Sequence, residues 1–152
     1  MSTIASTLDS LSLNVVQELH VDASLEATFE ALLEQMGPAN ETPEGAPLPM
    51  TIEPYPGGRW FRDLGDRDGH LWGLVQAIKR PTLIEITGPL FFSAPVVSNV
   101  QYRLTAANGG TLIAFRHTAF GFIHDEVRAS LSKGWTPLLD RARRQAERRT
   151  IP

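Results

Sequence analysis

The 152-residue sequence contains no cysteine. Disulfide bridges, thiolate metal sites and a cysteine nucleophile are therefore excluded, and the absence suits a reducing compartment. No apolar run approaches the roughly 20 residues that a membrane-spanning helix needs, so we expect no membrane insertion. Residues 1–11 contain no Lys or Arg and no apolar segment of the signal-peptide type. We expect a flexible arm there, followed by a single domain over 12–152, in a cytoplasmic protein.

Basic residues are absent from positions 1–58, which carry nine acidic residues. Residues 59–122 and 123–152 each hold seven basic and four acidic residues, so the net charge is −3. This is not the overall basic footprint of a nucleic-acid-binding domain, and we expect no nucleic-acid partner. An acidic front and a basic tail can attract each other within one domain or pair between two copies, which keeps a homodimer open.

Recognisable catalytic and metal motifs are missing too. The four histidines are scattered, without an H-x-x-x-H pair for zinc, and no G-x-S-x-G places a serine nucleophile. "PGGRW" (56–60) lacks the G-x-x-x-x-G-K of a phosphate loop. "DLGDRDGH" (63–70) lacks the twelve-residue spacing and the flanking helices of a calcium loop. The sequence therefore predicts no metal site, no cofactor and no catalytic residue.

The first third of the chain indicates a strand followed by a helix. "SLNVVQELHV" (12–21) is rich in β-branched and apolar residues and predicts a strand. Ser24 is a good N-cap for a helix with an apolar face, which Gly37 and Pro38 end. Residues 37–49 hold four prolines and predict an exposed loop with one short helical turn. We therefore expect a short helix pair after the first strand.

From position 48 the apolar pattern changes to the period of two that is typical of strands. Further strands are predicted over 48–54, 58–65, 70–80, 82–88, 96–106 and 111–120. A final amphipathic helix covers 124–149, and Gly134 and Pro137 should loosen or kink its middle. This order predicts an α+β fold, in which a strongly curved antiparallel sheet of about six or seven strands wraps on the long C-terminal helix. Such an arrangement leaves a cavity between helix and sheet.

Five stretches carry a resemblance that covers residues 13–146. They are "LHVDASLEATFEALL" (19–33), "PGGRW" (56–60), "GHLWGLVQAIKRPTLIEIT" (69–87), "GGTLIAFRHTAFG" (109–121) and "KGWTPLL" (133–139). Together they resemble the helix-grip superfamily, often labelled SRPBCC, which includes START lipid-transfer domains, birch-pollen-allergen-like proteins and aromatase/cyclase proteins. Within it the chain is most similar to the AHSA-type family, named for homologues of the heat-shock chaperone ATPase activator. The resemblance implies a helix-grip fold with a hydrophobic-ligand pocket and no shared catalytic triad or metal site.

Two tryptophans are candidates for the pocket wall. Strand periodicity places Trp60 in phase with Arg62, and Trp72 in phase with Leu74 and two further residues, Gln76 and Ile78. Both tryptophans are interpreted either as core packing or as pocket wall, because aromatic side chains supply large apolar area with a polar handle.

The hairpin strands offer three more candidates. Tyr102 lies on the apolar face of its strand and should point into the cavity, where its hydroxyl needs a partner. His117 is in phase with Phe115, so both face inwards if that face is the concave one. His117 is then either a ligand-orienting or acid–base group or a hydrogen-bonded structural histidine. The sequence does not decide which face of strand 111–120 lines the cavity, because one bulge would exchange the two faces.

The remaining candidates come from a connection and from the last helix. Phe91 and Phe92 lie between prolines and either form a pocket lid or plug one end of the sheet. Trp135, Leu138 and Leu139 lie on the apolar stripe of the final helix and should line the cavity.

The sequence thus predicts a protein that binds a small hydrophobic or aromatic molecule between the sheet and the C-terminal helix. One alternative is a cyclase- or hydrolase-like enzyme, with His117 as acid–base assisted by Asp63 or Arg62. It would show a perturbed, pocket-facing His117 near a second polar group. The other alternative is a protein-interaction module such as a chaperone co-regulator. It would show a filled core and an exposed apolar patch.

Overall fold

The structure is a computed structural model and describes residues 4–149. An antiparallel sheet is the largest element of the fold. Its seven strands are β1 Ser12–Val21, β2 Thr51–Ile52, β3 Arg59–Gly65, β4 Asp68–Lys79, β5 Leu83–Gly88, β6 Val96–Ala107 and β7 Gly110–Gly121. The three helices of the described residues are α1 Ile4–Leu11, α2 Leu25–Met36 and α3 Asp125–Arg149. Every neighbouring pair of strands is antiparallel, in the order β1-β7-β6-β5-β4-β3-β2. The curved sheet with one long C-terminal helix confirms the predicted helix-grip fold.

The elements that follow β1 differ in part from the prediction. Helix α2 begins as expected, because the Ser24 side chain accepts a hydrogen bond of 3.1 Å from the Ala27 amide. It ends at Gly37, whose amide bonds to the Glu34 carbonyl. The structure then has turns and one isolated bridge rather than the second helix of the predicted pair. Prolines within this segment lack the amide hydrogens that a helix requires.

The N-terminal region also contains regular structure. Helix α1 occupies most of the predicted arm at 1–11, and the Ser12 hydroxyl donates to the carbonyl of Leu8 at its end. The arm and the domain boundary at residue 12 stay predictions. Within the described residues, no helix is long and apolar enough to cross a bilayer.

The turns follow the chemistry of their residues. Pro56 and Gly57 occupy the centre of a turn closed by the Gly58 amide and the Tyr55 carbonyl at 2.8 Å, with φ of 83° at Gly57. Positive φ at this position is the mark of a type II turn and favours glycine. Asn108 and Gly109 both have positive φ between β6 and β7, as a tight hairpin requires.

The inner face of the sheet and helix α3 form the core. On β7 the buried face includes Phe115 and His117, so the phase of this strand is settled with both residues inside. On β6 the buried face includes Tyr102, as predicted. Helix α3 runs without a break through Pro137 and buries Trp135 among other residues of its apolar stripe. The predicted loosening at Pro137 therefore does not interrupt the helix.

A bulge in β4 overturns one part of the sequence analysis. Trp60 pairs with Gly73 and Phe61 pairs with Leu71, so Trp72 is the extra residue between them. The bulge reverses the alternation after Trp72. Leu74 is 45% exposed on the outer face, whereas Val75 is 1% exposed on the inner face. Trp72 thus does not share a face with Leu74, because a bulge inserts one residue and reverses the alternation after it. A second register shift, between Val75 and Ala77, restores the predicted phase, and Ile78 packs against the core as Trp72 does.

Candidate functional site

A cavity of about 580 Å³ lies between helix α3 and the inner face of the sheet. Helix α2 and the loop after it complete its wall. Five aromatic side chains line it: Trp60, Trp72, Phe91, Tyr102 and Trp135. All three tryptophans of the chain are among them. The volume falls in the range of pockets that hold a drug-sized molecule.

The structure brings seven of the ten sequence-predicted site residues to this cavity: Trp60, Trp72, Phe91, Tyr102, Trp135, Leu138 and Leu139. The other three, Phe92, Phe115 and His117, are buried but do not line it. Phe115 packs between Tyr102 and Trp135, with ring centroids 5.1 and 4.7 Å away, and so supports the wall from behind. A role in ligand binding remains a prediction for all ten residues.

Trp60 and Trp72 form one corner of the cavity. Their rings meet edge to face with centroids 5.1 Å apart, and Phe91 packs against Trp72 at 5.8 Å. The Trp60 indole N–H donates to the Met36 carbonyl at 2.7 Å, which fixes the ring against the end of α2. The β4 bulge turns Trp72 towards this corner. Both interpretations of the tryptophans therefore hold, since each ring is packed in the core and also faces the cavity.

His117 lies behind the wall, and both of its ring nitrogens are hydrogen-bonded to protein groups. The Trp135 indole N–H donates to Nδ1 of His117 at 3.1 Å, and Nε2 of His117 is 2.9 Å from the Ser98 hydroxyl. An indole nitrogen can only donate, so Nδ1 must accept and the ring must carry its proton on Nε2. Burial lowers the His117 pKa from 6.5 to about 4. His117 is thus a neutral, satisfied residue that orients Trp135, which is the structural alternative of the sequence analysis.

The cavity wall contains polar groups that lack partners. Among the described residues, three buried side-chain atoms make no hydrogen bond: Thr28 Oγ1, Gln35 Nε2 and Trp72 Nε1. Gln35 and Trp72 both line the cavity. The Tyr102 hydroxyl also has no hydrogen-bond partner within the described chain, and burial raises its pKa well above the ordinary value of 10. The unpaired nitrogens of Gln35 and Trp72 are themselves enclosed by protein atoms. Since buried polar groups are nearly always paired, the Tyr102 hydroxyl is the place where a ligand can bond.

A short hairpin at residues 40–48 forms the outer part of the wall. The Leu48 amide bonds to the Asn40 carbonyl at 2.8 Å, and the Asn40 side-chain amide bonds to the Leu48 carbonyl at 3.0 Å. Arg141 on α3 fastens this 40–48 hairpin to the helix. It pairs with Glu41 at 3.2 Å and donates to the carbonyls of Thr42 and Pro43 at 2.8 and 3.0 Å. A single cation thus connects the hairpin to α3.

Several wall residues were missed because they come from α2 and from the loop. Leu32 and Met36 of α2 lie on the apolar stripe recognised in the sequence, which marks core but does not distinguish core from cavity. Asn40 is 6% exposed within a loop that was predicted to be exposed. Its burial depends on the bonds to Leu48, and no periodicity in the sequence signals such a contact.

Comparison with known proteins identifies the fold. No family model and no curated protein sequence matches the chain. Among solved structures, it is similar to the di-domain ARO/CYC StfQ from the steffimycin biosynthetic pathway, with a TM-score of 0.68 and 16% identity over 95% of this chain and 54% of StfQ. It is also similar to protein MLL2253 from Mesorhizobium loti, with a TM-score of 0.66 and 19% identity over 91% of this chain and 99% of that one. For Ara h 8.0201 the TM-score is 0.64 and the sequence identity is 16%, over 89% of this chain and 97% of that one. The chain spans about half the length of StfQ, and at these identities the likeness concerns the fold.

Proposed function

We propose that this protein binds a small hydrophobic or aromatic molecule in the cavity between α3 and the sheet. The observation that carries the proposal is the cavity of about 580 Å³, lined by five aromatic side chains inside a helix-grip fold. Burial of apolar ligand surface there contributes roughly 25 cal/mol per Å². We also propose that within the helix-grip proteins the chain belongs to the AHSA-type family, on the five sequence stretches that together carry the resemblance.

An enzymatic role receives less support. The cyclase- or hydrolase-like alternative needs His117 to face the pocket with a free ring nitrogen. Both of its nitrogens are instead occupied, by Trp135 and Ser98, and it does not line the cavity. Asp63 is exposed at the β3–β4 turn, where it accepts from the Gly65 amide. The interaction-module alternative requires a filled core, which the cavity argues against.

Mass spectrometry of the purified protein tests the proposal first. The native mass is compared with the denatured mass, and the difference identifies a co-purified molecule. The apo protein is then titrated with N-phenyl-1-naphthylamine, a neutral apolar dye that fluoresces when it leaves water. We expect saturable binding of one dye per chain. A protein that neither carries a molecule nor binds the dye would contradict the proposal.

A cavity-filling substitution locates the binding. Leu138 is half-buried in the cavity wall, so Leu138→Trp places a larger ring in the volume that the dye would occupy. We expect at least about tenfold weaker dye binding, because overlap in a packed site costs more than 1.4 kcal/mol. Leu74→Trp is the matched control, since Leu74 lies on the outer face of the sheet at 45% exposure. Equal binding by both variants would place the dye elsewhere.

A further inference from the structure

The charged side chains among the described lining residues lie at the outer part of the cavity and not against the sheet. The charged residues of the wall are Glu41, Glu44 and Lys133, which belong to the 40–48 hairpin and to the exposed face of α3. Glu41 is already paired with Arg141. An anion or cation placed deep in this cavity would lose its hydration without gaining a counter-charge, which is strongly unfavourable. The part of a ligand that reaches the sheet must therefore be uncharged.

Tyr102 is the polar group best placed to select such a ligand. It lies on the inner face of β6, is 4% exposed, and contributes to the cavity wall. Its ring is held against Phe115, whose ring centroid is 5.1 Å away. The hydroxyl has no partner within the described residues, whereas most buried tyrosine hydroxyls find one. Because burial raises its pKa, the hydroxyl keeps its proton and can donate it.

A second unpaired group in the wall has the same character. The indole N–H of Trp72 is buried without a partner, and an indole nitrogen can only donate. Tyr102 on β6 and Trp72 on β4 thus both offer a hydrogen and lack an acceptor. An apolar molecule without oxygen or nitrogen would leave both groups unpaired. The Trp72 nitrogen is itself enclosed by protein atoms, so a molecule that carries an acceptor would pair with the Tyr102 hydroxyl.

We propose that the cavity selects an uncharged aromatic ligand with a neutral acceptor oxygen such as a ketone carbonyl, which accepts a hydrogen bond from the Tyr102 hydroxyl. This rests on the proposed function and specifies its ligand class. Apolar and aromatic contacts supply affinity, and the Tyr102 bond fixes orientation and discriminates between ligands. Such discrimination is effective because a buried polar group left unpaired penalises the wrong ligand.

Three probes of one ring system test the proposal. 2-Acetylnaphthalene carries the ketone, 2-ethylnaphthalene replaces it with a hydrocarbon of similar shape, and 2-naphthoate replaces it with an anion. Each displaces N-phenyl-1-naphthylamine from wild-type protein, Tyr102→Phe and Tyr55→Phe. Tyr55→Phe is the matched control, because Tyr55 is the other tyrosine of the chain and is 54% exposed. The apo Tyr102→Phe protein should fold normally, since its missing hydroxyl had no partner.

The expected result is a selective loss. Tyr102→Phe should weaken the binding of 2-acetylnaphthalene by about fivefold, which corresponds to one net hydrogen bond. The binding of 2-ethylnaphthalene should be unchanged or tighter. Tyr55→Phe should change neither, and 2-naphthoate should bind at least about tenfold more weakly than the ketone to wild type. An equal effect of Tyr102→Phe on ketone and hydrocarbon, or tighter binding of the anion, overturns the ligand class and leaves the proposed function intact. Failure of the dye and of all three probes to bind overturns both.

Discussion

His117 is the residue whose environment makes the strongest prediction about pH. In the folded state its pKa is about 4, against 6.5 for a solvated histidine. Between these values the unfolded chain binds more protons than the folded one, so the free energy of unfolding must fall as pH drops from 6.5 to 4. The difference corresponds to about 3 kcal/mol. Below pH 4 both states are protonated and this contribution is lost entirely.

Urea denaturation at a series of pH values measures this dependence. His117→Gln removes the titrating ring but keeps an acceptor and a donor, so the curve between pH 6.5 and 4.5 should flatten. His124→Gln, at an exposed histidine, is the control and should keep the wild-type curve. A His117→Gln variant with an unchanged pH dependence would show that protonation of His117 is not the cause.

The tautomer of His117 can be observed directly. Because Trp135 donates to Nδ1, the ring must hold its proton on Nε2 at neutral pH. Long-range ¹H–¹⁵N spectra of imidazole rings distinguish the two tautomers, and we expect the Nε2–H form for His117. Trp135→Phe removes the donor and is expected to change the Nδ1 shift. An Nδ1–H tautomer in the wild type would mean that Trp135 does not bond to this ring.

At the scale of elements, Arg141 of α3 bonds to three residues of the 40–48 hairpin. Arg141→Ala removes the ion pair with Glu41 and the bonds to two hairpin carbonyls. Loss of such charge-assisted bonds costs about 1.5–3 kcal/mol, so local opening of the hairpin should become at least about tenfold more frequent. Hydrogen–deuterium exchange of the amides of Thr42, Ala46 and Leu48 measures this opening.

The matched control lies three residues further along the same helix. Arg144 pairs with Asp140 within α3, so Arg144→Ala changes charge without releasing the hairpin. Its hairpin amides should exchange as in the wild type. If Arg141→Ala behaves like Arg144→Ala, the internal hydrogen bonds of the hairpin alone keep it closed.

How far an element could be predicted depended on whether its pattern was local. The bounds of β1 at 12–21 were predicted correctly, because apolar alternation and β-branched residues both lie within the strand. The faces of Leu74 and Gln76 in β4 were predicted wrongly, because the bulge at Trp72 arises from pairing with β3 and has no sequence signal of its own. Ile78 lies on the predicted face only because a second register shift follows. The burial of Asn40 was out of reach, and the sequence left two interpretations of His117 open, since both outcomes depend on contacts between distant segments.

At the scale of the whole molecule, helix α3 has two halves with different tasks. Its first half covers the cavity through Val127, Leu131 and Trp135, and Leu138 and Leu139 at the start of the second half line it as well. Its second half packs into the core through Ala142 and Ala146. Opposite charges also connect the second half to α2, because Arg149 pairs with Glu34. The basic C-terminal residues and the acidic N-terminal residues thus attract each other within one chain. This exposed pair contributes little energy, and it lies at the C-terminal end of the helix.

This asymmetry predicts uneven opening along α3. Pro137 has no amide hydrogen to donate to the Lys133 carbonyl, which weakens the helix where the two halves meet. Amides at 128–134 should therefore exchange at least about tenfold faster than amides at 140–147 in the ligand-free protein. A bound probe such as 2-acetylnaphthalene should slow the first group and leave the second nearly unchanged, because it fills the space beneath the first half. Uniform exchange along α3 would mean that the helix opens as one unit. Protection confined to 140–147 would mean that the probe does not lie beneath the first half.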